Sequence, residues 1–312
     1  MKALSPLDCY LELPAENELG GGETFFDLLK GAELYASGRS AARSAIPSIK
    51  NFGAKTIWLP DPICPSLPIF FKDFFEVKRY RADSVENLNP NPSDAVLFMD
   101  FFGASNQSEI ESWILKNPKI FSILDATFAP FSDWAKSSAA NCVFASLRKI
   151  LPIPDGAYLK LKDEKPRKIA LSPSSSMPDF AGDILSAMSL KTFAKKTEGI
   201  GDKAYRKLFM KGEEKLFNSK AVCRISPYSF EMLKKLNVSE ILKKRANMIS
   251  DFEKSENIKK LNCKTILPRE SASAFAPALI IENETDFELA RKAFTSAHNR
   301  PAAYWNKPDF NF

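Results

Sequence analysis

Cys142-Val143-Phe144-Ala145-Ser146-Leu147-Arg148-Lys149 is the stretch on which the reading of this chain turns. An apolar run leads into a serine, and a basic pair closes the segment. Short apolar runs bounded by turn residues read as buried strands of a parallel or mixed sheet. The boundary is explicit here: Ile150-Leu151-Pro152-Ile153-Pro154-Asp155-Gly156 follows, and its prolines and glycine end any regular element. Upstream, Ile120-Phe121-Ser122-Ile123-Leu124 ends on Asp125 in the same manner. One strand thus delivers a carboxylate, and the next delivers a hydroxyl and an amine.

The same punctuation recurs outward. Glu33-Leu34-Tyr35-Ala36 reads as a short strand before Ser37-Gly38-Arg39-Ser40, and Ala41 to Ile46 as a helix. Thr56-Ile57-Trp58-Leu59 stops at Pro60-Asp61-Pro62, and Ala95-Val96-Leu97-Phe98-Met99 stops at Asp100. Phe74 to Tyr80 alternates apolar and polar residues, as an edge strand does. Ala157 to Leu161 is a further strand. Glu23 to Lys30 reads as a helix, and so does Glu109 to Leu115, with Ser108 as its cap. The segment before residue 35 is otherwise irregular, with Gly20-Gly21-Gly22 as a turn. Residues 163–183 read as a loop, residues 184–256 as helical and charged, Leu261 to Ile281 as strand-rich around Pro268 and Pro277, and Asp286 to Ala297 as a helix. Strands alternating with crossovers imply a mostly parallel or mixed sheet covered by helices. In open sheets of this kind ligands gather at the carboxyl ends of strands. Arg39, Pro60, Asp100, Asp125 and Ser146 all fall at or just after such ends.

Composition narrows the function. Hydrophobic residues make up 45% and charged residues 26% of the 312 positions, as expected of a soluble globular protein. No apolar run approaches the roughly 20 residues that span a bilayer, so no membrane segment is expected. Pro6 and Asp8 interrupt the N-terminus before a leader could form. Cys9, Cys64, Cys142, Cys223 and Cys263 lack any close pairing, which argues against a disulfide framework or a zinc site and for a reducing cytoplasm. His298 is the only histidine, so no metal site is expected. The net charge of +6 is modest. It lies in short clusters such as Lys195-Lys196 and Lys243-Lys244-Arg245, which read as solvated helix faces rather than a nucleic-acid stripe. A mild positive balance suits an anionic cofactor or substrate.

The parts at the strand ends match what pyridoxal phosphate (PLP) requires: an amine for its aldehyde, an acid beside its ring nitrogen, and donors for its phosphate. Lys149 offers the amine, with Arg148 adding a like charge beside it. Asp125 offers the acid, although it could equally cap the next turn through Thr127. Gly38-Arg39-Ser40 opens a helix, where free N–H groups and the helix dipole favour an anion; a simple glycine turn with a serine cap is the alternative. Ser146 is a second phosphate-ligand candidate.

Five segments carry a resemblance: Tyr35-Ala36-Ser37-Gly38-Arg39-Ser40-Ala41, Trp58-Leu59-Pro60-Asp61-Pro62-Ile63-Cys64-Pro65-Ser66, Asp100-Phe101-Phe102-Gly103, Leu124-Asp125-Ala126-Thr127 and Ser146-Leu147-Arg148-Lys149. In this order they resemble the DegT/DnrJ/StrS family of sugar aminotransferases, in the branch where Ser-Leu-Arg-Lys precedes a Pro-x-Pro-Asp-Gly turn. The resemblance covers residues 20–160 and continues more weakly through Lys243 to Asn247 and Arg300 to Trp305. It implies a fold-type-I PLP-dependent transferase-like α/β architecture. A large three-layer mixed-sheet domain would occupy residues 1–195. A small C-terminal α+β domain, shorter than in relatives, would occupy 196–312, and the active site would lie at a homodimer interface. Lys149 would be the Schiff-base lysine and Asp125 the partner of the ring nitrogen. Gly38, Arg39, Ser40 and Ser146 would hold the phosphate. Cys64 falls where many relatives place an aromatic residue against the ring, and Phe128 where they place His or Gln; Ala157 replaces a usual Gly. The implied activity is amino transfer from a donor, commonly glutamate, to a keto-sugar nucleotide or related carbonyl compound in nucleotide-sugar or polysaccharide biosynthesis. The competing reading is a cofactor-free relative that binds a nucleotide-sugar or protein partner. A dehydratase is disfavoured by the retained lysine.

Overall fold

The computed structural model describes residues 2–5, 12–168, 172–197, 203–254, 263–270, 278–281, 283–298 and 303–306. Cys9, Leu261, Pro277 and Arg300-Pro301-Ala302, which entered the sequence reading, lie outside them. The strands are β1 (Lys2–Ser5), β2 (Glu33–Tyr35), β3 (Thr56–Asp61), β4 (Glu76–Arg81), β5 (Ala95–Met99), β6 (Phe121–Asp125), β7 (Cys142–Ser146), β8 (Ala157–Leu161), β9 (Cys263–Ile266), β10 (Ala278–Ile281) and β11 (Ala303–Asn306). The helices are α1 (Phe25–Leu28), α2 (Gly38–Asn51), α3 (Ser66–Lys72), α4 (Gln107–Lys116), α5 (Asp133–Ser137), α6 (Asp179–Lys196), α7 (Lys203–Asn218), α8 (Pro227–Lys235), α9 (Val238–Lys254) and α10 (Glu284–His298).

A seven-stranded sheet has the order β2-β8-β7-β6-β5-β3-β4. β3 runs parallel to β4 and β5, and β5 parallel to β6, whereas β8 is antiparallel to β2 and β7. The fold is therefore mixed α/β with a large mixed sheet, the class the alternating pattern implies. By its contacts the chain divides into one unit of Met1–Asp8, Ile49–Ala140 and Leu242–Phe312, and a second of Cys9–Ser48 and Asn141–Ile241.

In the first unit, every residue of β5 and β6 is buried, which is why both read as unbroken apolar runs. β4 carries Glu76, Lys78, Arg79 and Arg81 and ends its ladder on one side, as charged edge strands do. The cap of α4 is Asn106, not Ser108. Asn106 Oδ1 accepts the Glu109 N–H at 3.3 Å, while Ser108 Oγ donates to that same oxygen at 2.9 Å and so supports the cap. β1 corrects the reading of an irregular N-terminus. It joins a four-stranded antiparallel sheet of order β11-β1-β10-β9, with Ala3 opposite Ile280 and Trp305. No helix among the described residues is long and apolar enough to cross a membrane.

In the second unit, β7 is buried throughout. α1 is shorter than the helix expected over Glu23 to Lys30, because Thr24 and Asp27 close a capping box at its start and it ends at Leu28. The loop expected to reach residue 183 gives way to α6 at Asp179, directly after Pro178. α6 and α7 pack together through Phe180, Ile184, Met188 and Leu216. Their approach depends on Gly212, where a Cβ would stand 2.7 Å from Ile184 Cγ1 and 3.1 Å from Phe180 O. A buried polar knot fixes the start of β2. Glu33 accepts from Arg167 N and Nε and pairs with its guanidinium, Tyr35 Oη donates to Glu33, and Ser44 Oγ donates to Tyr35 Oη at 2.7 Å. Both carboxylate oxygens of Glu33 thus meet donors, as a buried carboxylate requires.

Candidate active site

The second unit builds a corner from three pieces of chain. Ser37 is the serine before α2, and its Oγ accepts the Ser40 N–H at 3.1 Å, a normal helix start. Gly38 follows at the first helical position, whose N–H has no intrahelical acceptor. Ser146 ends β7 beside it, and a Cβ on Gly38 would lie 3.7 Å from Ser146 Cβ. Ser40 and Ser146 are both buried. Ser40 Oγ also accepts the Cys223 N–H at 3.3 Å, which ties the corner to the segment after α7.

Arg39 is turned to a different task. Its guanidinium donates to Phe217 O at 2.8 Å and to Leu216 O, and it lies 5.3 Å from the centre of the Phe217 ring. These are the last carbonyls of α7, the negative end of that helix, so the cation closes the helix terminus.

Lys149 ends a short 3-10 turn, Leu147–Lys149, directly after β7, and is half-buried. Arg148 is buried and forms an ion pair with Glu213, at 2.8 Å through Nη1 and 3.2 Å through Nη2. The like charge beside Lys149 is thus balanced by a carboxylate from α7 that the sequence reading missed.

In the first unit, Asp125 ends β6 with 4% of its surface exposed. Its Oδ1 accepts the Thr127 N–H at 3.0 Å, the capping geometry that the sequence allowed. Asp100 stands next to it across the ladder: Met99 faces Asp125, and the Asp100 N–H donates to Asp125 O at 3.1 Å. Asp100 is 1% exposed and pairs with Arg269 at 3.2 Å. Burial pushes its carboxyl up to about 6, with Arg269 and the Ser105 N–H pulling the other way. Phe128 is buried against Phe102, ring centres 4.9 Å apart. Cys64 is half-buried, with Sγ 3.2 Å from Ser66 Oγ.

The structure therefore brings Gly38, Ser40 and Ser146 together and directs Arg39 to α7. It sets Asp125 beside an unforeseen Asp100–Arg269 pair. Arg269 follows β9, far along the chain, and no local pattern marks it as a partner of Asp100. Fold and site define a mixed α/β protein with the serine-capped start of α2 beside a lysine-bearing turn.

No family model matches the chain, and no curated protein sequence matches it. Solved structures align with it at low similarity. A serine palmitoyltransferase variant from S. paucimobilis with a bound PLP–myriocin aldimine aligns over 87% of this chain and 63% of its own, at 13% identity and a TM-score of 0.46. A NifS-like protein aligns over 88% and 85%, at 10% identity and a TM-score of 0.40. A protein assigned as a sugar aminotransferase, from Streptococcus pneumoniae in its PMP form, aligns over 49% and 48%, at 9% identity and a TM-score of 0.36. The chain spans less than two thirds of the length of the first of these.

Proposed function

We propose that this protein is a PLP-dependent enzyme of fold type I. Within that class we propose an aminotransferase that takes its amino group from a donor such as glutamate and passes it to a carbonyl compound such as a keto-sugar nucleotide. One observation carries the reading: Ser146 stands against Gly38 at the start of α2, and one short turn later the chain reaches Lys149.

A phosphate ester needs several N–H and O–H donors at a positive helix end. The Gly38 N–H with the Ser40 and Ser146 hydroxyls would make such a donor set, the Ser40 hydroxyl turning from Ala221 O, to which it donates at 3.5 Å, so the residues present fit the group. Asp125 is a buried carboxylate at a strand's carboxyl end, suited to holding a proton on the pyridine nitrogen. Cys64 would border the ring. PLP, when bound, supplies an aldehyde that captures an amine and a ring that withdraws electrons from the carbon next to it. Lys149 Nζ would serve as the general base that takes the proton from the substrate α-carbon and returns it at C4′ of the cofactor. The same reading makes the protein a cytoplasmic homodimer.

The test is spectroscopic. Wild-type protein mixed with PLP is expected to show a visible absorbance band that borohydride removes, leaving the label on Lys149, and glutamate should bleach the band without a second substrate. A Lys149→Ala protein that keeps the reducible band would sink the proposal. A second reading, a cofactor-free relative that binds a nucleotide-sugar or a protein partner, is favoured by the engagement of Arg39 with α7. Saturable uptake of PLP by the wild type would remove it.

A further inference from the structure

The residues that follow the lysine turn hold three pieces of the second unit together. Gly156 O accepts the N–H groups of Leu147 at 2.9 Å and Arg148 at 3.3 Å, so the turn that ends at Lys149 hangs on this carbonyl. The Gly156 N–H donates to Ala36 O at 2.9 Å, one residue before the cap of α2. Gly156 has φ +146°, and a Cβ there would stand 2.8 Å from Ile153 Cδ1. The position therefore admits glycine and little else. Asp155, the residue before it, has 0% of its surface exposed. Its Oδ2 accepts the Ser226 N–H at 2.8 Å, and its Oδ1 accepts the hydroxyls of Ser226, at 2.5 Å, and Ser229. Ser226 is the cap of α8, and its Oγ also accepts the Ser229 N–H at 3.1 Å. A carboxylate at a helix start is favoured by the helix dipole, and hydrogen bonds to an ionised group are strong.

We propose that Asp155 is a positioning residue for Lys149: its carboxylate grips the start of α8, and the adjoining Gly156 peptide carries both the lysine turn and the strand end that leads to Gly38. α8, the lysine turn and the anion corner then form one mechanical piece. A displacement of α8 is passed to the amine, and occupancy at the amine is passed to α8. The proposal rests on the reading of Lys149 as the reactive amine.

Full-length wild type, Asp155→Ala, Asp155→Asn and Glu33→Gln separate this role from general stability. Glu33 lies in the same unit but in the Arg167 knot, and its loss leaves the Asp155 bonds to Ser226 and Ser229 in place, so Glu33→Gln reports a buried defect that does not pass through Asp155. Amide hydrogen exchange is read first, without PLP. Asp155→Ala should speed exchange at Leu147, Arg148 and Ser226 by about tenfold or more. Asp155→Asn, which keeps one acceptor, should do so less, and Glu33→Gln should leave those amides unchanged. With PLP added, borohydride labelling of Lys149 should fall in the same order. The proposal is overturned if Leu147 and Arg148 exchange no faster in Asp155→Ala than in wild type, or if Glu33→Gln speeds them as much. Where Asp155→Ala does not fold, Asp155→Asn carries the same comparison. If wild type takes no label at Lys149, the proposed function fails, and the exchange rates still decide whether Asp155 holds the turn.

Discussion

Two buried aspartates, one in each unit, are satisfied in opposite ways. Asp155 takes its hydrogen bonds from neutral donors, an amide at 2.8 Å and two hydroxyls, with the Arg148 charge acting on it only at a distance. Asp100 is met by the cation of Arg269 at 3.2 and 3.4 Å and by one amide at 3.3 Å. Burial pushes both carboxyls upward. Close neutral donors fix a carboxylate in place and define the geometry of a turn. A longer ion pair defines which segments meet: Arg269 also donates to Gly103 O through its backbone and to Ser105 O through its guanidinium, and it lies over the Trp134 ring. The first arrangement suits a residue that must hold its neighbours still. The second leaves a carboxyl that burial pushes up to about 6.

The contrast can be broken at several points, the largest effect first. Asp155→Ala should cost about 4 kcal/mol in urea unfolding, because it strands buried donors; a loss within experimental scatter would erase the distinction. Asp100 should show itself through pH. Its folded value of about 6 lies above the ordinary 3.8, so the folded protein keeps a proton that the unfolded chain releases. Stability from this group is full below the unfolded value and is lost as pH rises through about 6, a swing of up to about 3 kcal/mol. Unfolding midpoints on either side of that window should reveal it, and Asp100→Asn should flatten the slope. Gly212→Ala should destabilise by about 2 kcal/mol through overpacking of α6 on α7, read as a lower thermal midpoint. Arg39→Ala should cost about 1 kcal/mol, the value of a helix terminus, and hydrogen exchange should place the loss at the end of α7.

How much of this was legible beforehand depended on the range of the interaction. β5, β6 and β7 were readable because a strand buried on both faces must be apolar throughout, and each ends on or just before a polar residue. Gly38, Ser40 and Ser146 were readable because helix starts and strand ends have local signatures. Asn106 was also within reach, since it stands three residues before Glu109. β1 was not, because Lys2–Ser5 has no period of its own and is defined by its pairing with β10 and β11. The partners of Asp155, Arg148 and Asp100 lie 71, 65 and 169 positions away. Nothing local encodes them: Pro154-Asp155-Gly156 announces a turn but not the helix that the turn will hold.

The hold of Arg39 on α7 has a consequence for how mutants of this protein should be scored. Under the proposed function, a screen that ranks anion ligands by loss of activity would score Arg39 for either role, since fraying α7 would also disturb Glu213 and, through it, the arginine beside the lysine. The two roles would be separated by dose. A true ligand defect is rescued by excess cofactor, whereas a loosened helix end is rescued by cooling or by a stabilising osmolyte.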